Sequence, residues 1–342
     1  MDAVQYKCPA CGAGLKFNAD KQDFVCEYCD SVFKEEDFFE KDNKLGTEVK
    51  EEPSADALLY VCPSCGAEVL TDETTAATAC YYCSNPVVLS GKLSGALKPD
   101  FIIPFKIDKK SAIEKFKELC SKKKFLPKNF IAESRLEEIK GVYFPYWYVD
   151  CNTNGSLNAK SRHVRSWVVG DIKYTETIVK GHFRQGDMVV DDMPESALNS
   201  KQNDILKYVC PFDSQDFVPF SMSYLSGYLA EKRNLEIADI DSGVTEKIRS
   251  LSAERLKNTI NEANVSVTDS QINVGKKDFR YNLLPVWVLS YKNNDKNYIY
   301  ALNGQTGKVY GELPVCKKKL IALFAGVSVA VTALLTAVGV ML

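Results

Sequence analysis

The chain has 342 residues, 45% of them hydrophobic and 26% charged, with a net charge of −2. These are the proportions of an ordinary folded protein, which excludes a disordered chain, and the overall basic excess common in nucleic-acid binders is absent. The length allows two or three modules.

No apolar run follows a basic stretch at the N-terminus, so no signal peptide is expected. The first chemistry-bearing segment is residues 1–33, where Cys8, Cys11, Cys26 and Cys29 follow the pattern Cys-x2-Cys-x14-Cys-x2-Cys. A two-residue gap lets one tight turn present two sulfurs to a single ion, and zinc takes four thiolates at tetrahedral corners. Proline after the first cysteine starts the turn, and Gly12 allows the positive φ that it needs. The fourteen residues between the pairs suffice for a β-hairpin that brings the second pair back. A polar, acidic linker follows over 34–57. The motif then recurs over 58–90 as Cys62, Cys65, Cys80 and Cys83, with Gly66 matching Gly12, all at an offset of 54 residues. Four matches at one offset indicate a duplication.

Disulfides and redox Cys-x-x-Cys pairs are the competing readings of such cysteines, and the doubled spacing favours metal over both. Two structural zinc ions are therefore expected. Each would be closed by four protein sulfurs, leaving no open position for catalysis. Cys120, Cys151, Cys210 and Cys316 lack ligand spacing and read as free thiols.

Residues 91–315 read as one α+β domain with mainly antiparallel strands. FIIPFKID (101–108) has strand character, and Asp108 can cap a helix over 109–124 whose apolar stripe is Ala112, Ile113, Phe116, Leu119 and Cys120. GVYFPYWYVD (141–150) is rich in β-formers, and 155–190 alternates as further strands do. A second amphipathic helix is expected over 244–263, with Val244, Ile248, Leu251, Leu256 and Ile260 facing inward. The segment 283–313 has the pattern of a three-stranded meander, with turns at KNNDK and NGQTG.

Residues 320–342 form an uncharged apolar run preceded by Lys317, Lys318 and Lys319. Such a run is expected to be a transmembrane helix, a C-terminal anchor that leaves residues 1–319 in the cytoplasm as a single-pass membrane protein.

Charge sorts the possible partners. Residues 1–33 carry three lysines against five acids, and residues 58–90 carry three acids without a lysine or arginine. Four thiolates on one zinc add further negative charge at each site. Phosphate binding needs basic groups in the contact face, so nucleic acid is disfavoured for these ribbons and a protein partner is favoured. Nine lysines do lie within 106–128, against three acids. That stretch reads as a solvated helix face, or as a surface drawn to anionic lipid or nucleic acid.

No catalytic constellation is visible. His163 and His182 are not in a ligand-spaced pair. GQTGK (304–308) departs from a phosphate-binding loop in its glycine spacing and reads as a hairpin turn. No cofactor-binding residues are expected beyond the metal ligands.

The chain resembles a group of bacterial membrane proteins with N-terminal zinc ribbons similar to that of transcription factor IIB. The resemblance is carried by the Cys-Pro-x-Cys-Gly knuckles, PFKID (104–108), GVYFPYW (141–147), LPVWV (284–288) and LNGQTGK (302–308). Some members are labelled as relatives of the primosomal replication-restart helicase, but this chain has no helicase motor motif. Together these features lead to the expectation of a non-enzymatic, membrane-tethered zinc-ribbon adaptor contacting a protein partner. A membrane-associated nucleic-acid factor is the alternative.

Overall fold

The computed structural model describes residues 3–4, 6–37, 57–61, 68–72, 75–79, 86–89, 97–127, 136–199, 207–293 and 296–341. The described chain is mostly β-sheet and divides into two compact units. One comprises 1–144, 200–232 and 283–342, and the other 145–199 and 233–282.

The first unit opens with β1 (Ala3–Val4), β2 (Leu15–Asn18), β3 (Asp23–Cys26) and β4 (Val32–Phe33). Strands β2, β3 and β4 make a small antiparallel sheet of their own. Next come β5 (Ala57–Val61), β6 (Glu68–Asp72), β7 (Thr75–Ala79), β8 (Pro86–Leu89) and β9 (Phe101–Ile102). β5 pairs with β6, β7 with β8, and β1 adds to the far edge of β8.

Helix α1 (Lys109–Ser121) begins where the sequence places it. Asp108 accepts a hydrogen bond from the Ser111 N–H at 2.8 Å, and Ala112, Phe116 and Cys120 are buried along one stripe. The cap satisfies an N–H that the first helical turn would otherwise leave unpaired.

β10 (Lys140–Val169) starts in the first unit and continues into the second, where it pairs with β11 (Ile172–Ser196). β12 (Val218–Pro219) pairs with β9, and β13 (Leu229–Glu231) lies between β7 and the start of β10. α2 (Ile237–Asn258) belongs to the second unit, and β14 (Val265–Asn293) runs from the second unit back into the first. The expected meander is present as β14, β15 (Lys296–Asn303) and β16 (Val309–Gly311), all antiparallel. Its second turn is NGQTG, with Gly307 at φ +75°.

The core of the first unit gathers Phe105, Phe116, Tyr143, Trp287, Tyr300 and Leu302 with Leu15, Phe17 and Phe24 of the N-terminal sheet. In the second unit, α2 packs Val244 and Ile248 against Val149, Cys151 and Val190. Leu256 and Ile260 meet Leu157 and Ala159. α2 starts seven residues earlier than the apolar pattern suggests, because Glu236 and Asp239 form a reciprocal capping box. Leu251, expected to face inward, is exposed. Ser252 is buried in its place, 3.2 Å from the Thr153 hydroxyl.

The fold expectation needs correction at the C-terminus. Residues Lys317–Met341 form a helix, α3, but among the described residues no helix is long and apolar enough to cross a membrane. The start of α3 is instead tied to the segment after α1: Cys316 N–H donates to the Phe125 carbonyl at 2.7 Å, and Lys319 Nζ to that of Leu126 at 2.6 Å. The transmembrane anchor, the membrane partner assigned to 320–342 and the single-pass localisation all fall with this correction.

Candidate metal centre

Cys8, Cys11, Cys26 and Cys29 converge, their sulfurs all lying within 4.8 Å of one another. Cys8 Sγ is 3.6 Å from Cys29 Sγ, and Cys11 Sγ is 3.5 Å from Cys26 Sγ. Four sulfurs at about 2.3 Å from one ion stand roughly 3.8 Å apart at tetrahedral corners, so the cage matches one thiolate-bound metal. It is far too open for disulfides, whose sulfurs sit about 2 Å apart.

Two backbone knuckles build this cage in the same way. In the first, Cys8 N–H donates to the Ala13 carbonyl at 2.7 Å and Gly12 N–H to the Cys8 carbonyl at 2.8 Å, with Gly12 at φ +77°. In the second, Cys26 N–H donates to the Ser31 carbonyl at 3.0 Å and Asp30 N–H to the Cys26 carbonyl at 2.9 Å, with Asp30 at φ +56°. The left-handed residue follows each second cysteine directly. Glycine serves at one knuckle and aspartate, which tolerates that region better than most residues, at the other. Each knuckle supplies one buried sulfur (Cys8, Cys26) and one exposed (Cys11, Cys29).

The hairpin between the knuckles fixes their separation. Leu15 pairs with Cys26 and Phe17 with Phe24, while Asn18 Oδ1 accepts from Asp20 and Lys21 N–H to close the turn. Lys16 Nζ bonds Glu27 at 2.6 Å on the outer face.

The cage is electrostatically unequal. The Ser31 hydroxyl, 3.2 Å from Cys29 Sγ, and the Ser31 backbone lower the Cys29 pKa to about 6. At Cys11 a hydrogen bond from Ala13 lowers the pKa, but desolvation and the Cys29, Cys26 and Cys8 sulfurs outweigh it and push the thiol up to about 12. Four thiolates so close cannot all ionise without a cation among them, and a bound metal supplies that charge.

The remaining expected ligands, Cys62, Cys65, Cys80 and Cys83, lie outside the described residues. Strands around them are described, and parts of the first ribbon's strand pattern recur there. The bridge Lys7↔Gly14 has its counterpart in Val61↔Glu68, both positions shifted by 54 residues. β2 maps onto β6 and β4 onto β8 at the same offset.

One part of the site was not visible in the motif. The first ribbon is completed by the segment 221–228 of the same unit. Phe17 N–H donates to the Ser226 carbonyl at 3.0 Å, and the Ser226 hydroxyl donates to the Leu15 carbonyl. Tyr224 stacks edge-on against Phe17 at 5.2 Å and donates to Glu35 at 2.7 Å. Gly227, at φ +95°, passes so close that a Cβ there would sit 3.2 Å from Lys16. Nothing in the cysteine spacing signals this partner.

Neither histidine belongs to the cage. His163 Nε2 is 3.0 Å from Glu262, and His182 Nε2 is 2.8 Å from the Ser161 hydroxyl.

Comparison with known proteins adds one relative. The Bacillus subtilis (strain 168) protein named "Uncharacterized protein YdjG" is 31% identical over 333 residues, which is 95% of this chain and 94% of the relative. No protein-family model matches the chain. No solved structure matches it.

Proposed function

The chain belongs to the family of the Bacillus subtilis protein YdjG, and we propose that it is a non-enzymatic adaptor whose zinc-loaded ribbons contact a protein partner. The observation that carries this reading is Tyr28, which stands between the ligands Cys26 and Cys29 at the tip of the second knuckle and is 82% exposed. A large, stiff, amphipathic ring on a metal-locked turn has little conformational freedom to lose on binding, which is why tyrosine recurs among the dominant contacts of protein interfaces. The acidic surroundings support a protein over a phosphate backbone, since counterion release needs lysine or arginine in the contact face.

Zinc is the metal we assign, because an all-thiolate tetrahedral cage is its common structural site. Cys8, Cys11, Cys26 and Cys29 would hold one ion and Cys62, Cys65, Cys80 and Cys83 a second. The repeated strand frame at the 54-residue offset supports that second assignment. With four protein sulfurs on each ion, the metal's role is to fix the knuckles rather than to activate water. The short hairpin between paired knuckles also supports a ribbon of the transcription-factor-IIB type.

The test is capture of a partner by the metal-loaded chain, comparing Tyr28→Ala with the parent. Retained metal content with a loss of capture of at least tenfold supports the reading. Unchanged capture, or tight duplex-DNA or RNA binding that falls steeply with salt and is lost with the ribbon metal, would replace the adaptor with a nucleic-acid factor.

A further inference from the structure

Within the second unit, β10 and β11 form a hairpin closed by Gly170 and Asp171, with Gly170 at φ +60° and Val169 paired with Ile172. In a two-residue turn of this kind the flanking pair exchanges both backbone hydrogen bonds, and the pattern then alternates along the strands. The even-numbered residues of β11 therefore bond inward to β10, and the odd-numbered ones point their N–H and C=O outward. Two independent contacts agree with this parity. The outward carbonyls of Val189 and Phe183 are reached by Arg255 Nη1 at 2.5 Å and Arg184 Nη1 at 2.9 Å.

Those arginines cap the edge only from Phe183 onward. Before it, β11 has no other strand beside it among the described residues. The outward groups of Lys173, Thr175, Thr177, Val179 and Gly181 therefore form an open row. Apolar side chains stand exposed along it, among them Ile178 at 46% and Val179 at 57%. A long, exposed, apolar edge is a template for strand addition, and folded proteins usually blunt one with charge, proline or a covering element.

We infer that this edge pairs with the same edge of a second copy of the chain, antiparallel, about a two-fold axis through Ile178. Three features select that occupant and register. Outward-pointing residues must meet outward-pointing residues, which allows Thr177 opposite Val179 and Thr175 opposite Gly181. The same register sets Glu176 of each copy opposite Lys180 of the other, so both charges meet an opposite one. Shifting the axis to residue 176 would place the two Glu176 side chains together, and shifting it to 177 or 179 would place each charge against an apolar, aromatic or histidine side chain. Lys180 already bonds Glu262 at 2.8 Å, and its ammonium has further N–H donors for the second carboxylate. Symmetric, self-complementary contacts of this kind are the commonest in homo-oligomers.

The experiment measures the mass of the full-length, metal-loaded chain by light scattering at micromolar concentration, together with two kinds of variant. The parent should have twice the chain mass. Ile178→Cys brings a thiol against its own copy at the axis and should form a disulfide-linked dimer under mild oxidation beyond the parent's background. Ile172→Cys, six residues from the axis in each copy, should not. Val179→Pro removes an outward N–H and no β10 bond, so it should give a folded monomer with unchanged metal content. A monomeric parent, equal cross-linking at 172 and 178, or a dimer that persists in a folded Val179→Pro chain would each overturn the inference. Engagement of this edge by lipid or by a different protein would appear as the first of these.

Discussion

A Cβ placed on Gly304 would lie 2.6 Å from Cδ1 of Phe105. The backbone around that glycine is fully used. Its N–H donates to the Pro285 carbonyl at 2.8 Å, and its own carbonyl accepts from both Lys106 and Ile107 at 2.9 Å. Phe105 cannot retreat easily, because it stacks face to face on Tyr228 at 4.2 Å. Gly304→Ala should therefore destabilise the first unit by about 1–3 kcal/mol, the usual cost of overpacking. Thermal or denaturant unfolding checks this, and a change within error would contradict the tight packing.

The first ribbon should not melt alone. Phe17, Leu15 and Phe24 are shared with the main core of their unit, so losing the metal removes support from Ser226 and Tyr224 as well. Cys26→Ser should lose one metal ion per chain and lower the melting temperature of the unit as a whole. Elemental analysis paired with calorimetry reads both. Loss of the metal with an unchanged main transition would show that the ribbon folds independently.

Asp108 gives a pH prediction. Burial pushes its pKa up, but the hydrogen bonds from Ser111 and Lys110 outweigh that and hold it below its ordinary value. A depressed carboxyl contributes stability at pH values above its unfolded pKa, and that contribution fades as pH falls through the folded value. Asp108→Ala should cost about 1 kcal/mol near neutrality. The difference between variant and parent should shrink on acidification below the usual carboxylate range, and paired denaturation curves across that range provide the check.

Arg280 donates to Asp150 at 2.7 Å and to Asp192 at 2.5 Å, joining β14 to the bulged region of β10 and β11. Arg280→Met removes the cation and leaves two carboxylates facing each other, a change that should destabilise by about 1–3 kcal/mol in this half-buried setting. Adding Asp150→Asn and Asp192→Asn should recover part of the loss. A double-mutant cycle with no coupling would remove this trio from the account of the second unit.

The sequence was most legible where the cause is local. The Cys-x2-Cys spacing of the first ribbon, the positive φ of Gly12 and the Asp108 cap each act within a few positions, and the structure bears out these three; Asp30, the matching left-handed residue of the second knuckle, carries no glycine to signal it. The start of α2 was missed because Glu236 and Asp239 cap it without the serine or threonine that usually marks such a box. Ser252 was missed because its partner, Thr153, lies on another strand. The alternation over 155–190 marked strands, yet nothing in it shows that two continuous strands meet at Gly170. The completion of the ribbon by 221–228 depends on sequence-distant contacts, which no local pattern encodes. At the C-terminus the expectation rested on the length and apolar character of the run and on the lysines before it, and the contacts of Cys316 and Lys319 lay outside that pattern.

The bond between Leu15 and Ser226 spans 211 residues of chain, and that separation carries a cost in time during synthesis. At about 5–20 residues per second, a ribosome needs roughly 10–40 seconds to deliver Ser226 after Leu15 has emerged. Over that interval the knuckles can already close on a metal, while Phe17 and Phe24 have no Tyr224 to cover them. Early metal capture would hold the hairpin in its folded form in the nascent chain until that cover arrives. Cells starved of the bound metal should then lose newly made protein to proteolysis faster than they lose the mature pool, a difference that pulse-labelling can resolve.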